Sequence, residues 1–443
     1  MREQKRYAIL IGTAGSLGDL HPYIAVAKAL IARGHGATIA AAADYRALVA
    51  SAGVGFAGLR PTLDELGGYA TLVPKLFNSR RGPEYLIRRV VMPHLRTGFE
   101  ALRSAAAKAD LLVSHPLAIT LPLLAQQRGL PWVSTVLSPI SLMSAFDPPR
   151  LPGLGALQGL RRFGPLPTRL LLRLAKWATR RWEAPLEALR DDLHLPQATQ
   201  RALFEGQFSP RLNLALFDSL LAEPQPDWPQ NTRVCGAPVH DGRLDSVTDA
   251  VRLEEFLAAG DAPIVFALGS SAVWIARDFW HEAVTAAQRL GRRALLVTGP
   301  QTPSGFPDSV CVLPYVPYSQ VFGRAAAVVH HAGIGTLSQA LRAARPQLLL
   351  PVAFDQPDNA HRAVRLGVAR TLPFRRACAD RLTTELAHLL ADGRYARSAA
   401  TCAAQLAGND GAATAADALL ECLVGMPENA RAESFNRRRL GQQ

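Results

Sequence analysis

Short apolar runs alternate along this chain with stretches of helical spacing, and most runs end in a glycine-rich or polar turn. The run Ala8 to Ile11 enters a turn from Gly12 to Asp19. Pro22 then opens a helix with apolar residues at Ile24, Ala27, Leu30 and Ile31, which Gly34 ends. A strand over 37–42, a helix over 45–52 and a strand over 54–56 complete a βαβαβ unit, half of a doubly wound parallel sheet. Prolines at 61, 74, 83 and 93 break the apolar groups of residues 60–100 into irregular text. The alternation resumes with a helix over 95–107, a strand at Leu111 to Ser114, a helix over 118–127 and strands over 132–136 and 212–217.

A second unit of the same kind starts at Ile264 to Leu268, which turns at Gly269, Ser270 and Ser271. Strands follow over 294–298 and 310–313. The segment Tyr315, Val316, Pro317 and Tyr318 then leads into a helix over 319–324. Ala327 to Val329 runs into His330, His331, Ala332, Gly333, Ile334, Gly335 and Thr336, after which residues 337–344 have helical spacing. Gln347 to Leu350 reads as a buried strand, and Pro351 to Asn359 (PVAFDQPDN) as a polar loop. An alanine-rich helix is expected over 386–422.

At 443 residues the chain exceeds one ordinary core. The proline-rich text at 224–229 and the segment 236–249 mark a linker. This gives an N-terminal domain over 1–240, a C-terminal domain over 241–425 and a polar tail over 426–443, expected to be disordered.

Apolar residues make up 49% and charged residues 19% of the chain, a globular balance. No apolar run reaches the roughly 18 residues of a membrane span, and no secretory leader is legible, so a cytoplasmic protein is expected. Five scattered cysteines without a CxxC pair suggest neither disulfides nor a metal site. The net charge of +13 favours anionic ligands or lipid headgroups. Its scatter, without interleaved aromatics, argues against nucleic acid. Around 169–189, Leu170, Leu171, Leu174, Trp177 and Trp182 alternate with basic residues. Such a helix most often buries its stripe against the N-terminal domain, and otherwise walls a lipid-sized acceptor site or lies on the inner membrane surface as a peripheral contact. Oligomeric state leaves no trace in the text.

Candidate chemistry sits in the turns. A helix start leaves N–H groups unpaired and carries partial positive charge, so Gly333 to Thr336 suits phosphate oxygens, as do the hydroxyls and N–H groups of Ser270 and Ser271. Asp355 beside Gln356 suits sugar hydroxyls. The first turn does not suit a dinucleotide: its glycines run G-x-x-G-x-x-G, and Asp19 would repel a pyrophosphate. Asp19 is instead either a base, if partly shielded from water, or an aspartate serving only the helix dipole.

The stretch from Val328 to Asn359 resembles the nucleotide-sugar signature of family 1 glycosyltransferases, and GTAGSLGDLHP resembles the N-terminal loop of bacterial sterol, glycopeptide and rhamnolipid glycosyltransferases. The resemblance implies the α/β GT-B architecture, two Rossmann-like domains facing each other across a cleft. It implies an inverting, metal-independent transfer from a dTDP- or UDP-sugar to an acceptor hydroxyl. The donor is a substrate, and no cofactor is implied.

Asp19 matches the family's proposed base, within an acceptor-side loop of Gly15, Ser16 and Gly18. His115 falls where plant relatives carry the aspartate that orients a catalytic histidine, so a swapped pair, His115 supporting Asp19, would follow; a plain loop histidine stays open. On the donor side the resemblance assigns Ser270, Ser271, His331, Gly333, Gly335 and Thr336 to the diphosphate. It assigns Tyr315 and the Val316 backbone to the base, and Asp355 and Gln356 to the sugar. Gln339 stands where plant relatives have a ribose-binding glutamate, which favours a deoxyribose donor such as dTDP-rhamnose. The text QPDWPQ at 225–230 and the GIG at 333–335 are similar to the rhamnolipid-forming rhamnosyltransferase chain, which favours rhamnose and a lipid acceptor. Rival expectations are a flavonoid- or macrolide-type glycosyltransferase, a nucleotide-sugar 2-epimerase and a non-catalytic sugar-nucleotide binder.

Overall fold

The structure, a computed structural model, describes residues 5–150, 163–242, 244, 246–301 and 303–425. The expected tail at 426–443 lies outside them.

Seven strands form the first sheet: β1 (Ala8–Gly12), β2 (Gly36–Ala42), β3 (Gly55–Leu59), β4 (Leu111–Ser114), β5 (Trp132–Val136), β6 (Asn213–Ala215) and β7 (Thr232–Val234). Their spatial order is β3-β2-β1-β4-β5-β6-β7, every neighbouring pair parallel. The short β7 escapes a reading of the sequence because proline-rich text precedes it and its three residues stay partly accessible at the sheet edge.

The second sheet has six parallel strands in the order β10-β9-β8-β11-β12-β13. They are β8 (Ile264–Ala267), β9 (Ala294–Val297), β10 (Val310–Leu313), β11 (Ala327–His330), β12 (Gln347–Leu349) and β13 (Ala369–Thr371). Both sheets are apolar on both faces and covered by helices, as parallel sheets require. This is the expected pair of Rossmann-like domains.

In each sheet the strand order reverses beside the first strand. β1 neighbours β4, with Gly12 opposite Ser114, and β8 neighbours β11, with Ala267 opposite His330. Loops leaving the carboxyl ends at such a reversal diverge and leave a crevice, where ligands of open α/β sheets bind.

Three helical features differ from the sequence expectation. The first helix spans Leu17–Ala32, a turn earlier than Pro22 suggested, because Ser16 and Asp19 cap it. It is buried nearly all round, since it lies between the first sheet and the last helix, Gly411–Val424, whose Ala415, Ala416, Leu419 and Leu423 join the core of β1 and β2. The last of the described helices therefore returns to the N-terminal sheet. The alanine-rich end is three helices, Ala379–Ala391, Gly393–Leu406 and Gly411–Val424, and Asp392 and Asp410 cap the second and third. The basic amphipathic segment is also broken, into Leu166–Thr179, a 3₁₀ turn at Arg180–Glu183 and Ala184–Asp192. The apolar stripe of its first part, expected to be buried, faces outward.

Candidate active site

Asp19 sits at the third position of the Leu17–Ala32 helix, where two demands meet on one carboxylate. Its Oδ2 accepts from the Ser16 backbone N–H at 2.7 Å and from the Ser16 hydroxyl at 3.1 Å, while Ser16 Oγ accepts from Gly18 N–H at 3.3 Å. This is a capping box, and it holds the carboxylate still. Oδ1 points the other way and lies 3.6 Å from Nε2 of His115, which is buried, whereas Asp19 is one-third exposed. The expected helix-cap role and the expected contact with His115 thus fall to different oxygens of one side chain.

The tautomer of His115 follows from its other nitrogen. Leu117 N–H donates to Nδ1 at 3.2 Å, so in the neutral ring the proton is on Nε2, the atom facing Asp19. Gly15, at φ +132°, is required here because a Cβ would strike the Asp19 carboxylate. Tyr45 holds this loop by donating its hydroxyl to Gly15 O at 3.0 Å, and it touches the Tyr69 hydroxyl at 3.1 Å. The Tyr69 ring in turn stacks on Trp274 of the other domain, with centroids 5.5 Å apart and planes at 18°. Sequence reasoning missed all three aromatics, since nothing local links residues so far apart in the chain.

The expected donor side lies at the ends of β8 and β11. His330 ends β11 inside the core. Ala332 N–H donates to its Nδ1 at 3.2 Å, leaving Nε2 to donate to Gln347 Oε1 at 2.9 Å. Burial pushes this imidazole down to about 4, so it is neutral and serves to fix the turn. That turn carries Ala332 at φ +67°, the left-handed region that costs a residue with a Cβ roughly 1–2 kcal/mol. His331, next to it, is wedged between two glycines: a Cβ on Gly269 or Gly333 would land on its ring. Gly333 was expected to let a ligand approach; here it makes room for an imidazole, while Gly335 has open space in front of it. Desolvation lowers the His331 pKa to about 3, with neighbouring His330 adding to the effect, and its Nδ1 is buried without a partner among the described residues.

The Ile334–Arg342 helix starts at Gly333 with no side-chain cap, and its first internal bond runs from Leu337 N–H to Gly333 O at 3.0 Å. The N–H groups of Ile334, Gly335 and Thr336 at this start have no place in the helix ladder and carry the positive end of its dipole. The Thr336 hydroxyl itself is bonded to Tyr318, so Thr336 has its N–H to offer. Ser270 and Ser271 lie, partly accessible, in the short helix Gly269–Ala272 at the end of β8, whose Gly269 abuts the His331 ring. On the next turn of the Ile334–Arg342 helix, Gln339 Oε1 is buried and unpartnered among the described residues. Tyr315 is half-buried after β10, and its hydroxyl accepts from Gly242 N–H of the interdomain linker at 2.8 Å. The Val316 side chain is buried in the core, which leaves only its backbone for a ligand.

The expected polar loop 351–359 is a loop only as far as Asp355, which precedes a helix spanning Gln356–Arg365 without capping it through its side chain; Pro357 fits that first turn because its missing N–H is not needed there. Gln356 folds its Oε1 back onto the N–H groups of Val352 and Ala353, at 2.9 and 3.2 Å. Its NH2 group forms no hydrogen bond among the described residues. Asp355 Oδ2 accepts from Asn359 Nδ2 at 2.7 Å. Desolvation nevertheless raises its pKa to about 7, against the help of Asn359 and with the negative charge of Asp19 pushing the same way. The two carboxylates, from opposite domains, therefore feel each other across the cleft. Asn359, fully buried, donates to Ala332 O at 3.1 Å and to Asp355, and accepts from the Ser138 hydroxyl at 2.9 Å. It joins the glycine turn, the Asp355 loop and the N-terminal domain, a role no local pattern announces.

Residues 298–421, which hold the whole donor-side turn, match the family model of the erythromycin biosynthesis protein CIII-like C-terminal domain. Over 400 residues the chain is 32% identical to O-mycaminosyltylonolide 6-deoxyallosyltransferase of Streptomyces fradiae, covering 87% of this chain and 90% of that protein. It is 28% identical to the vancomycin aglycone glucosyltransferase of Amycolatopsis orientalis, over 94% and 97% of the two chains. The solved structure of the spinosyn rhamnosyltransferase SpnG complexed with thymidine diphosphate shares the fold, with a TM-score of 0.63 at 20% identity over 93% of this chain and 100% of that one. With two facing parallel-sheet domains and a relative this similar along nearly the whole length, the chain belongs to the family 1 glycosyltransferases of GT-B fold and is a sugar-transferring enzyme.

Proposed function

We propose that this enzyme moves a hexose, with rhamnose or another deoxyhexose favoured, from a dTDP- or UDP-sugar to a hydroxyl of a bulky apolar acceptor, inverting the anomeric centre. The N-terminal domain holds the acceptor and the C-terminal domain the donor. The observation that carries the reading is the Asp19 carboxylate, with one oxygen locked by the helix cap and the other 3.6 Å from His115 at the strand reversal facing the donor-side turn.

In the step proposed, the acceptor hydroxyl attacks the anomeric carbon from the side opposite the diphosphate. The C1–O bond to the diphosphate breaks as the new C1–O bond forms, and the hydroxyl proton passes to Asp19. His115, acting through Asp19, is a positioning residue: its Nε2–H orients the carboxylate. Negative charge growing on the leaving diphosphate meets the open N–H groups of Gly335 and Thr336, with Ser270, Ser271 and the neutral His331 ring beside them. The step as proposed needs no metal ion. Gln339 accepts from the ribose, Tyr315 and the Val316 backbone hold the base, and Asp355 and the Gln356 NH2 hold sugar hydroxyls.

The names of the relatives support a natural-product aglycone as acceptor, a macrolide or a glycopeptide. The sequence likeness to rhamnolipid formation supports a hydroxy-lipid. Incubation with dTDP-rhamnose, dTDP-glucose, UDP-glucose and UDP-N-acetylglucosamine against a panel of macrolactones, phenols and hydroxy-lipids, read by mass spectrometry, tests the proposal. A glycosylated acceptor whose anomeric configuration is opposite to that of the donor it came from supports it. A new free nucleotide-sugar epimer formed without acceptor would instead establish the epimerase reading.

A further inference from the structure

The outward stripe of the Leu166–Thr179 helix is the largest feature that sugar transfer leaves without a role. Leu166, Leu170, Leu174 and Trp177 follow one another at helical spacing, and they are 70%, 59%, 55% and 65% exposed. No residue of this helix is buried. Four large apolar side chains side by side in water are a patch of the kind that marks an interaction surface. Arg169, Arg173 and Arg180 run along the flank of the stripe, and the helix carries no acidic residue. Arg173 forms no ion pair among the described residues, and Arg180 lies 4.7 Å from the centroid of the Trp177 ring. Arg169 lies over the exposed Phe146 ring at 5.3 Å, which extends the apolar surface beyond the helix. Lys176, on the inner side, is committed to Glu205.

We propose that this helix docks the enzyme on an anionic lipid surface, with the leucines and Trp177 entering the headgroup boundary and the arginines pairing with lipid phosphates. The charge pattern decides between occupants. A second copy packed on this face about a two-fold axis would bring arginines against the same arginines, with no carboxylate on the helix to compensate. An anionic bilayer satisfies both the apolar stripe and the arginine flank. A cavity of about 680 Å³ lies under the same helix, lined by Arg169, Leu172 and Arg173 together with Trp132, Met143 and Phe204. Arg169 and Arg173 thus border both the docking face and this cavity.

Vesicle sedimentation of the full chain tests this without donor or acceptor, so its result is independent of the sugar-transfer reading. Vesicles of phosphatidylcholine with one-quarter phosphatidylglycerol should bind the protein at least about 10-fold more strongly than pure phosphatidylcholine, and 0.5 M salt should weaken that binding. Leu170→Glu/Leu174→Glu and, separately, Arg173→Glu should each lower binding about 10-fold or more while leaving the thermal midpoint unchanged, since these side chains are exposed. Equal sedimentation of wild type and Leu170→Glu/Leu174→Glu overturns the proposal. So does a dimer, seen by analytical ultracentrifugation, that the same double substitution dissociates while vesicle binding is absent.

Discussion

Asp355 shows how much the surroundings of one half-buried side chain can do. Its carboxyl, raised from 3.8 to about 7 by burial, holds a proton in the folded protein through a pH range where the unfolded chain has already lost it. Between about pH 4 and 7 the folded state therefore binds more protons than the unfolded state, and stability falls as pH rises through that window. Asp355→Asn keeps a neutral, hydrogen-bonding side chain at every pH. The variant should accordingly match wild type near pH 4 and exceed it by on the order of 1–3 kcal/mol at pH 8, an upper range for a half-buried group. Urea denaturation at the two pH values measures this. A difference that does not change with pH would mean the carboxyl titrates normally. Gln339 makes a sharper chemical case. Its Oε1 is a buried acceptor without a partner among the described residues, suited to one ribose hydroxyl, whereas a glutamate would bind two hydroxyls more strongly. Gln339→Glu should shift the ratio of UDP to dTDP affinity toward UDP by roughly 1–2 kcal/mol, read by competition titration. An unchanged ratio removes the ribose from this position.

The elements most plainly written in the chain are the strands that run into glycines, because a buried parallel strand and a helix start leave local marks. The turns after β1, β8 and β11 are legible for that reason. What local text does not carry is why each residue of a turn is there. Gly333 reads as a place for ligand approach, yet it makes room for His331, and the reason is a ring packed from another direction. Gly333→Ala should therefore weaken dTDP binding on the order of 10-fold by displacing the imidazole, and it should also lower the thermal midpoint. Gly335→Ala, with open space before it, should weaken dTDP binding while leaving the midpoint where it was. Calorimetric titration and thermal melts of both proteins check the pair, and identical behaviour would contradict the packing argument. The outward stripe of the Leu166–Thr179 helix is the counterpart error: amphipathic spacing predicts a buried stripe, but periodicity cannot say which side is wet.

At the scale of the whole molecule the two domains are joined by contacts that sequence could not pair, since their partners lie more than a hundred residues apart. Across the joint Arg362, buried, binds the carbonyl of Leu221 at 2.9 Å and Asp147 of the N-terminal domain; on its own helix it holds Asp358 at 2.7 Å, which in turn accepts from the Arg150 N–H at 2.8 Å. Its guanidinium answers two carboxylates taken out of water, and their charges hold its pKa up despite burial. Removing it strands those carboxylates, so Arg362→Ala should cost about 3–5 kcal/mol, seen as a lower denaturation midpoint. A loss below about 1 kcal/mol would show that the carboxylates rehydrate or that the domains already part freely. The same joint holds Asn359 against Ser138 and so keeps the donor turn facing Asp19.

That facing geometry supports the proposal that Asp19 is the acceptor base, and Asp19→Asn is the direct test. Asparagine retains an oxygen for the Ser16 N–H, so the helix cap and fold persist, but it cannot take a proton. The measurement is single-turnover transfer alongside calorimetric titration of dTDP. The account predicts unchanged nucleotide affinity with turnover lower by at least about 100-fold. Turnover within a few-fold of wild type, at unchanged affinity, would show that Asp19 is a helix cap and that another group takes the proton.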